Sequence, residues 1–125
     1  MGVLEMMCKS NNMQAASNDQ NPTRLQVEFA NCREIRMGSP YNACDLQLRG
    51  KWLPHLPNVT WQDRSAHSPD SRYIALVYWD IVNNQPGFRV VVIDTIAKTV
   101  SEHDRIEGCC DRLWWDDQGL HWRVF

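Results

Sequence analysis

Two apolar runs constrain this chain more than anything else in it: YIALVYW at 73–79 and FRVVVI at 88–93. In a strand, successive side chains point to opposite faces. Ile74, Leu76 and Tyr78 therefore share one face, and Tyr73, Ala75, Val77 and Trp79 the other. Val90 and Val92 oppose Val91 and Ile93 in the same way. Strands apolar on both faces belong inside a sheet covered on both sides. The connection between them holds Asn83-Asn84 and Pro86-Gly87, which suits a hairpin loop.

The flanking sequence continues the β pattern. Leu25, Val27 and Phe29 alternate with Gln26 and Glu28, the period of a half-buried strand. A second short strand is expected over 33–37, followed by a Gly38-Ser39-Pro40 turn. Leu46 and Leu48 mark a third strand ending near Gly50. The stretch 51–58 carries Pro54 and Pro57 and reads as loop, with Trp52 and Leu53 folding back onto the sheet. Trp61 stands alone among polar residues. Residues 94–98 form a turn before a strand at 99–102. The C-terminal hairpin is the most legible, with strands at 112–115 and 120–125 around Asp116-Asp117-Gln118-Gly119. Alternation puts Leu113, Trp115, Leu120, Trp122 and Val124 in the core and Trp114, His121, Arg123 and Phe125 outside. No segment has a helical period. The expected fold is all-β: one small antiparallel domain over 23–125, of five to seven strands, as a blade-like sheet, sandwich or half-open barrel. Residues 1–22 are polar and aperiodic and read as a flexible tail.

The segment Ser68-Pro69-Asp70-Ser71-Arg72-Tyr73-Ile74-Ala75-Leu76 resembles the W-S-P-D-G-x-x-I-A-F signature of blades in the TolB-like and WD-like β-propeller families, with Ser71 where the signature has Gly. Val92-Ile93-Asp94 followed by 95–98 resembles the later strand and turn. Trp115-Asp116-Asp117-Gln118-Gly119-Leu120 is similar to the start of a second copy, with Asp70 and Asp117 47 residues apart against a propeller repeat of about 40–45. The resemblance covers about half the chain, 61–125. A closed propeller needs at least about four blades, so it implies either a lone blade-like domain closed by its N-terminal strands or a fragment of a larger propeller.

Composition narrows function mainly by exclusion. The formal charge of −2 lacks the basic excess of a nucleic-acid binder. No apolar run approaches the ~20 residues of a membrane helix, and Glu5 interrupts the short apolar N-terminus that a secretion signal would need. The five cysteines, Cys8, Cys32, Cys44, Cys109 and Cys110, are odd in number and lack a C-x-x-C, so a reducing cytoplasm is the expected compartment. His103, Cys109, Cys110 and His121 do not have zinc spacing, and neither His67 nor His103 is positioned by local sequence as a base for a cysteine nucleophile. No catalytic, metal or cofactor site is expected.

Between Ser101 and Asp117, six acids face two arginines. With Trp114, a residue type enriched in binding hot spots, these form the candidate partner-binding set: Glu102, Asp104, Glu107, Asp111, Trp114, Asp116, Asp117, His121 and Arg123. Trp114 either meets a partner or is covered by the N-terminal strands. The expected function is protein binding without catalysis, as a bacterial immunity protein that occludes a basic toxin domain, acting as a monomer or an edge-strand homodimer. The alternatives are a small Cys/His-dependent hydrolase or metalloenzyme and a structural fragment of a propeller.

Overall fold

The computed structural model describes the backbone of residues 2–4 and all of residues 24–125. Regular structure among them is entirely β, in ten strands: β1 Gly2–Leu4, β2 Gln26–Glu34, β3 Asn42–Arg49, β4 Trp61–His67, β5 Tyr73–Trp79, β6 Gly87–Asp94, β7 Thr99–Glu102, β8 Ile106–Glu107, β9 Cys110–Asp116 and β10 Gly119–Val124. One sheet runs β2-β3-β4-β5-β6-β7, with β8 also paired to β6. A second runs β1-β10-β9. All pairings are antiparallel.

The domain has three layers. Strands β4–β7 form a meander whose two faces carry separate cores. Tyr73, Ala75, Val77, Phe88, Val90 and Val92 pack against Cys110, Leu113, Leu120 and Trp122 of the β9–β10 hairpin. On the other face, Ile74, Leu76, Tyr78, Val91 and Ile93 pack with Leu25 and Trp61, under the partly buried Val27, Phe29, Leu46, Leu48 and Trp52. This is why 73–79 is apolar throughout: every residue of β5 is buried. A single bridge, Cys44↔Trp61, joins β3 to β4, which lets the β2–β3 ribbon fold over the meander.

Several turns have local causes. Asn83 and Asn84 both adopt positive φ, 52° and 61°, inside a Val82↔Gln85 bridge, the conformation a two-residue hairpin turn requires. Ser71 has φ 63°, so it occupies a left-handed position that glycine fills most easily. Asp70 Oδ1 accepts bonds from Ser68 Oγ (2.7 Å) and from Arg72 N (3.1 Å), which holds this turn without glycine.

The all-β antiparallel domain is as expected, with seven strands in its larger sheet. The observed strands correct other expectations. Gly2–Leu4 pairs with β10 instead of lying in a tail; the remainder of the expected tail lies outside the described residues. Residues 35–37 do not form a separate strand, because β2 runs through to Glu34 across a bulge between Ala30 and Arg33, with Asn31 at φ 52°. Trp61 opens a strand, β4, that its polar sequence WQDRSAH concealed. Val124 is 37% exposed, because a register shift between Arg123 and Val124 ends the alternation. Cys32 and Cys44 form a disulfide across β2 and β3, a pair that the odd cysteine count did not single out.

Candidate functional site

The β9–β10 hairpin separates core from surface by alternation. The register pairs Trp115 with Leu120 and Leu113 with Trp122, and these face the meander. It pairs Trp114 with His121 and Arg112 with Arg123 on the opposite, outer face. Trp115 anchors the inner side. Its Nε1–H donates to the Ala66 carbonyl at 2.9 Å, and its ring stacks on Tyr73 with centroids 5.6 Å apart. Gln62 of β4, fully buried, donates its side-chain amide to the Cys110 carbonyl. Side chains thus clamp β9 to β4 although no backbone ladder joins them.

On the outer face, Trp114 is half-buried because its own neighbours cover it. His121 stacks on the indole at 5.3 Å and 18°. The Arg112 guanidinium lies 4.6 Å from the ring centroid, within the range of a cation–π contact. Asp116 fixes the histidine: His121 Nε2 and Asp116 Oδ1 are 2.8 Å apart. The same oxygen accepts the Gln118 N–H at 2.8 Å, closing the turn. The Gln118 N–H first, and His121 second, hold the Asp116 carboxyl below the ordinary carboxylate value. Arg112, Trp114, His121 and Asp116 therefore form one ordered, partly exposed group.

The remaining acids are dispersed. Asp111 sits at the edge of β9, accepting Arg123 Nη2 at 2.6 Å and Nε at 2.9 Å and the Tyr41 hydroxyl at 3.1 Å. Arg123, then Tyr41, depresses its carboxyl. Glu102 pairs with Val91 in register, on the side of the molecule remote from Trp114. There it accepts the Tyr78 hydroxyl at 2.8 Å and lies 3.5 Å from Arg89. Burial first, and Glu102 second, push the Tyr78 phenol up to about 12. Glu107 reaches Arg105 only at 4.0 Å. Asp104 and Asp117 are exposed. Of the nine candidate residues, the structure gathers Trp114, Asp116 and His121 into one group, with Arg123 on the same face, bonded to Asp111. Glu102 is elsewhere, so the acids that the sequence suggested do not all share that face.

Arg112 was missed as a site residue because in the sequence it reads only as a charge offsetting the acids. Its role follows from sharing a face with Trp114 two positions on. The Cys/His set does not converge. Cys110 is fully buried, and burial pushes its thiol up to about 12. His103 packs edge-on against Trp122, while His121 is on the outer face. Among the described residues no group of three or more His, Cys, Asp or Glu is arranged to hold a metal ion. Comparisons with protein-family models, with curated proteins and with solved structures found no match for this chain.

Proposed function

We propose that this chain is a protein-binding domain without catalysis, whose contact face is the outer side of the β9–β10 hairpin, and that it acts as an immunity-type protein neutralising a cognate toxin by occlusion. The observation that carries the reading is the Trp114 group. A Trp flanked by Arg112 and His121, with His121 fixed by Asp116, presents aromatic and guanidinium surface in a set geometry, and ordering before binding lowers the entropic cost of association. Trp and Arg are the side chains that most often dominate binding energy. Asp111 is paired with Arg123 and Asp116 is hydrogen-bonded within its own turn, so steering of a basic partner would fall to Asp104, Glu107 and Asp117.

The Cys32–Cys44 disulfide bears on the compartment. Disulfides persist in oxidising surroundings, which favours a meeting with the partner outside a reducing cytoplasm. The test is affinity capture from the native source with the full chain, beside Trp114→Ala and Arg112→Ala. The proposal expects one partner retained by the wild type and lost with both variants.

A second reading, a module taken from a larger propeller, has one observation in its favour. The four-strand meander β4–β7 is covered on both faces by flanking hairpins, as a blade is by its neighbours. It predicts that the isolated chain assembles beyond a dimer, whereas the binding-domain reading predicts a monomer or an edge-strand homodimer in sedimentation.

A further inference from the structure

A second concave site lies away from the hairpin face, at the end of the domain where β4 turns into β5. Arg24, Lys51, Trp52, His67, Ser71 and Lys98 surround a cavity of about 380 Å³. They come from four separate segments: the approach to β2, the loop after β3, the β4–β5 turn and the β6–β7 turn. Among the described residues no carboxylate lines it. The nearby acids are committed elsewhere. Asp94 is bound by Arg72 through two bonds of 2.9 and 2.8 Å, and Asp70 caps its own turn.

Lys51 and Lys98 line this cavity beside Arg24, which has partners of its own, in a chain whose formal charge is −2. Like charges brought together are costly unless an opposite charge joins them. Neither Lys51 nor Lys98 makes a salt bridge among the described residues. Arg24 donates Nη2 to Ser71 Oγ at 2.9 Å, which places its guanidinium at the rim. The floor includes Leu25 and Ile74, and Trp52 forms a wall. The cavity thus combines cationic donors with an apolar and aromatic surface.

We propose that this cavity binds a small phosphoryl-bearing anion, with Lys51, Lys98 and Arg24 on the phosphoryl oxygens. Phosphate suits the site better than a lone carboxylate because its two negative charges match several cationic side chains. Arg and Lys are the side chains that recognise it by charge-assisted bonds. His67 reports on occupancy: burial first, and Arg24 second, hold its imidazole below the ordinary value, and an anion beside it would raise it.

Inorganic phosphate and adenosine monophosphate, each titrated into the full chain, test this by NMR of the histidine imidazole protons and by calorimetry in constant chloride. The proposal expects saturable binding of at least one probe. It also expects an upward shift in the His67 titration, and affinity about tenfold or more weaker in Lys51→Ala/Lys98→Ala. Tighter binding of the nucleotide would assign the Trp52 wall a role, whereas equal binding would make free phosphate the ligand. Both lysines are exposed, so the variant keeps its fold. No saturable response of the wild type to either probe, or equal binding by the variant, would overturn the site.

Discussion

Trp114 and Trp115, adjacent in the chain, present their indoles to opposite sides of β9: Trp115 donates to the Ala66 carbonyl at 2.9 Å inside the sandwich, while Trp114 stacks on His121 outside it. The pair divides the hairpin into a side packed on the meander and an outer side.

That division predicts unequal mutational costs. Trp115→Ala removes a partly buried ring stacked on Tyr73 together with a β9–β4 bond, and should destabilise the fold by about 2 kcal/mol or more. Trp114→Ala loses the outer-face contacts with His121 and Arg112, with a cost of about 1 kcal/mol or less. Urea unfolding of the two variants beside the wild type measures the difference; equal losses would contradict the assignment of faces.

Acid should unfold the domain through specific carboxylates. The Arg72 guanidinium, assisted by the Ala97 and Ile96 N–H groups, holds the Asp94 carboxyl below its ordinary value near 3.8. A carboxyl depressed in the folded state stabilises it fully above the unfolded value, and that contribution is lost as pH falls through the folded one. Unfolding free energy should therefore decline below about pH 4, with Asp111 and Asp116 contributing in the same direction. Asp94→Asn should be less stable at neutral pH and show a shallower acid decline.

The two adjacent thiols should differ in reactivity. Cys110 is fully buried, with its thiol pushed up to about 12. Cys109 is half-buried and lines a surface pocket beside Tyr41 and Phe125. Alkylation followed site by site in mass spectrometry should modify Cys109 in the native protein and Cys110 only after unfolding.

Removing the Cys32–Cys44 bond should cost stability through the unfolded chain. The bridged residues are 12 apart in sequence, and a loop of that size corresponds to about 3 kcal/mol at most. Because the bond ties β2 to β3, Cys32→Ser/Cys44→Ser should loosen hydrogen-exchange protection in that ribbon before β5 and β6. Uniform loss across the domain would contradict a local role.

How far the fold could be read depended on whether neighbouring residues or distant ones decide it. The runs 73–79 and 88–93 carry their two-sided burial in their own composition, and Leu113, Trp115, Leu120 and Trp122 follow from simple alternation. Trp61–His67 could not be read as a strand, because its polar residues are held by partners such as Cys110 and Asp111 that are nearly fifty positions away. The disulfide was hidden by an odd cysteine count, and Val124 by a register shift that leaves no compositional trace. At the candidate site, Trp114 was legible as the residue to watch. The acids were not, since Glu102 and Asp116 sit close in sequence and on different sides of the domain.

The central claim, that the outer face of the β9–β10 hairpin is the contact surface, is tested most directly by quantitative capture of the partner on wild-type chain against Trp114→Ala, with circular dichroism showing both folded. The account predicts a partner bound in a fixed ratio to the wild type and weakened at least about a hundredfold by the single substitution, the scale of a hot-spot residue. Equal retention of that partner by the folded Trp114→Ala chain would contradict it.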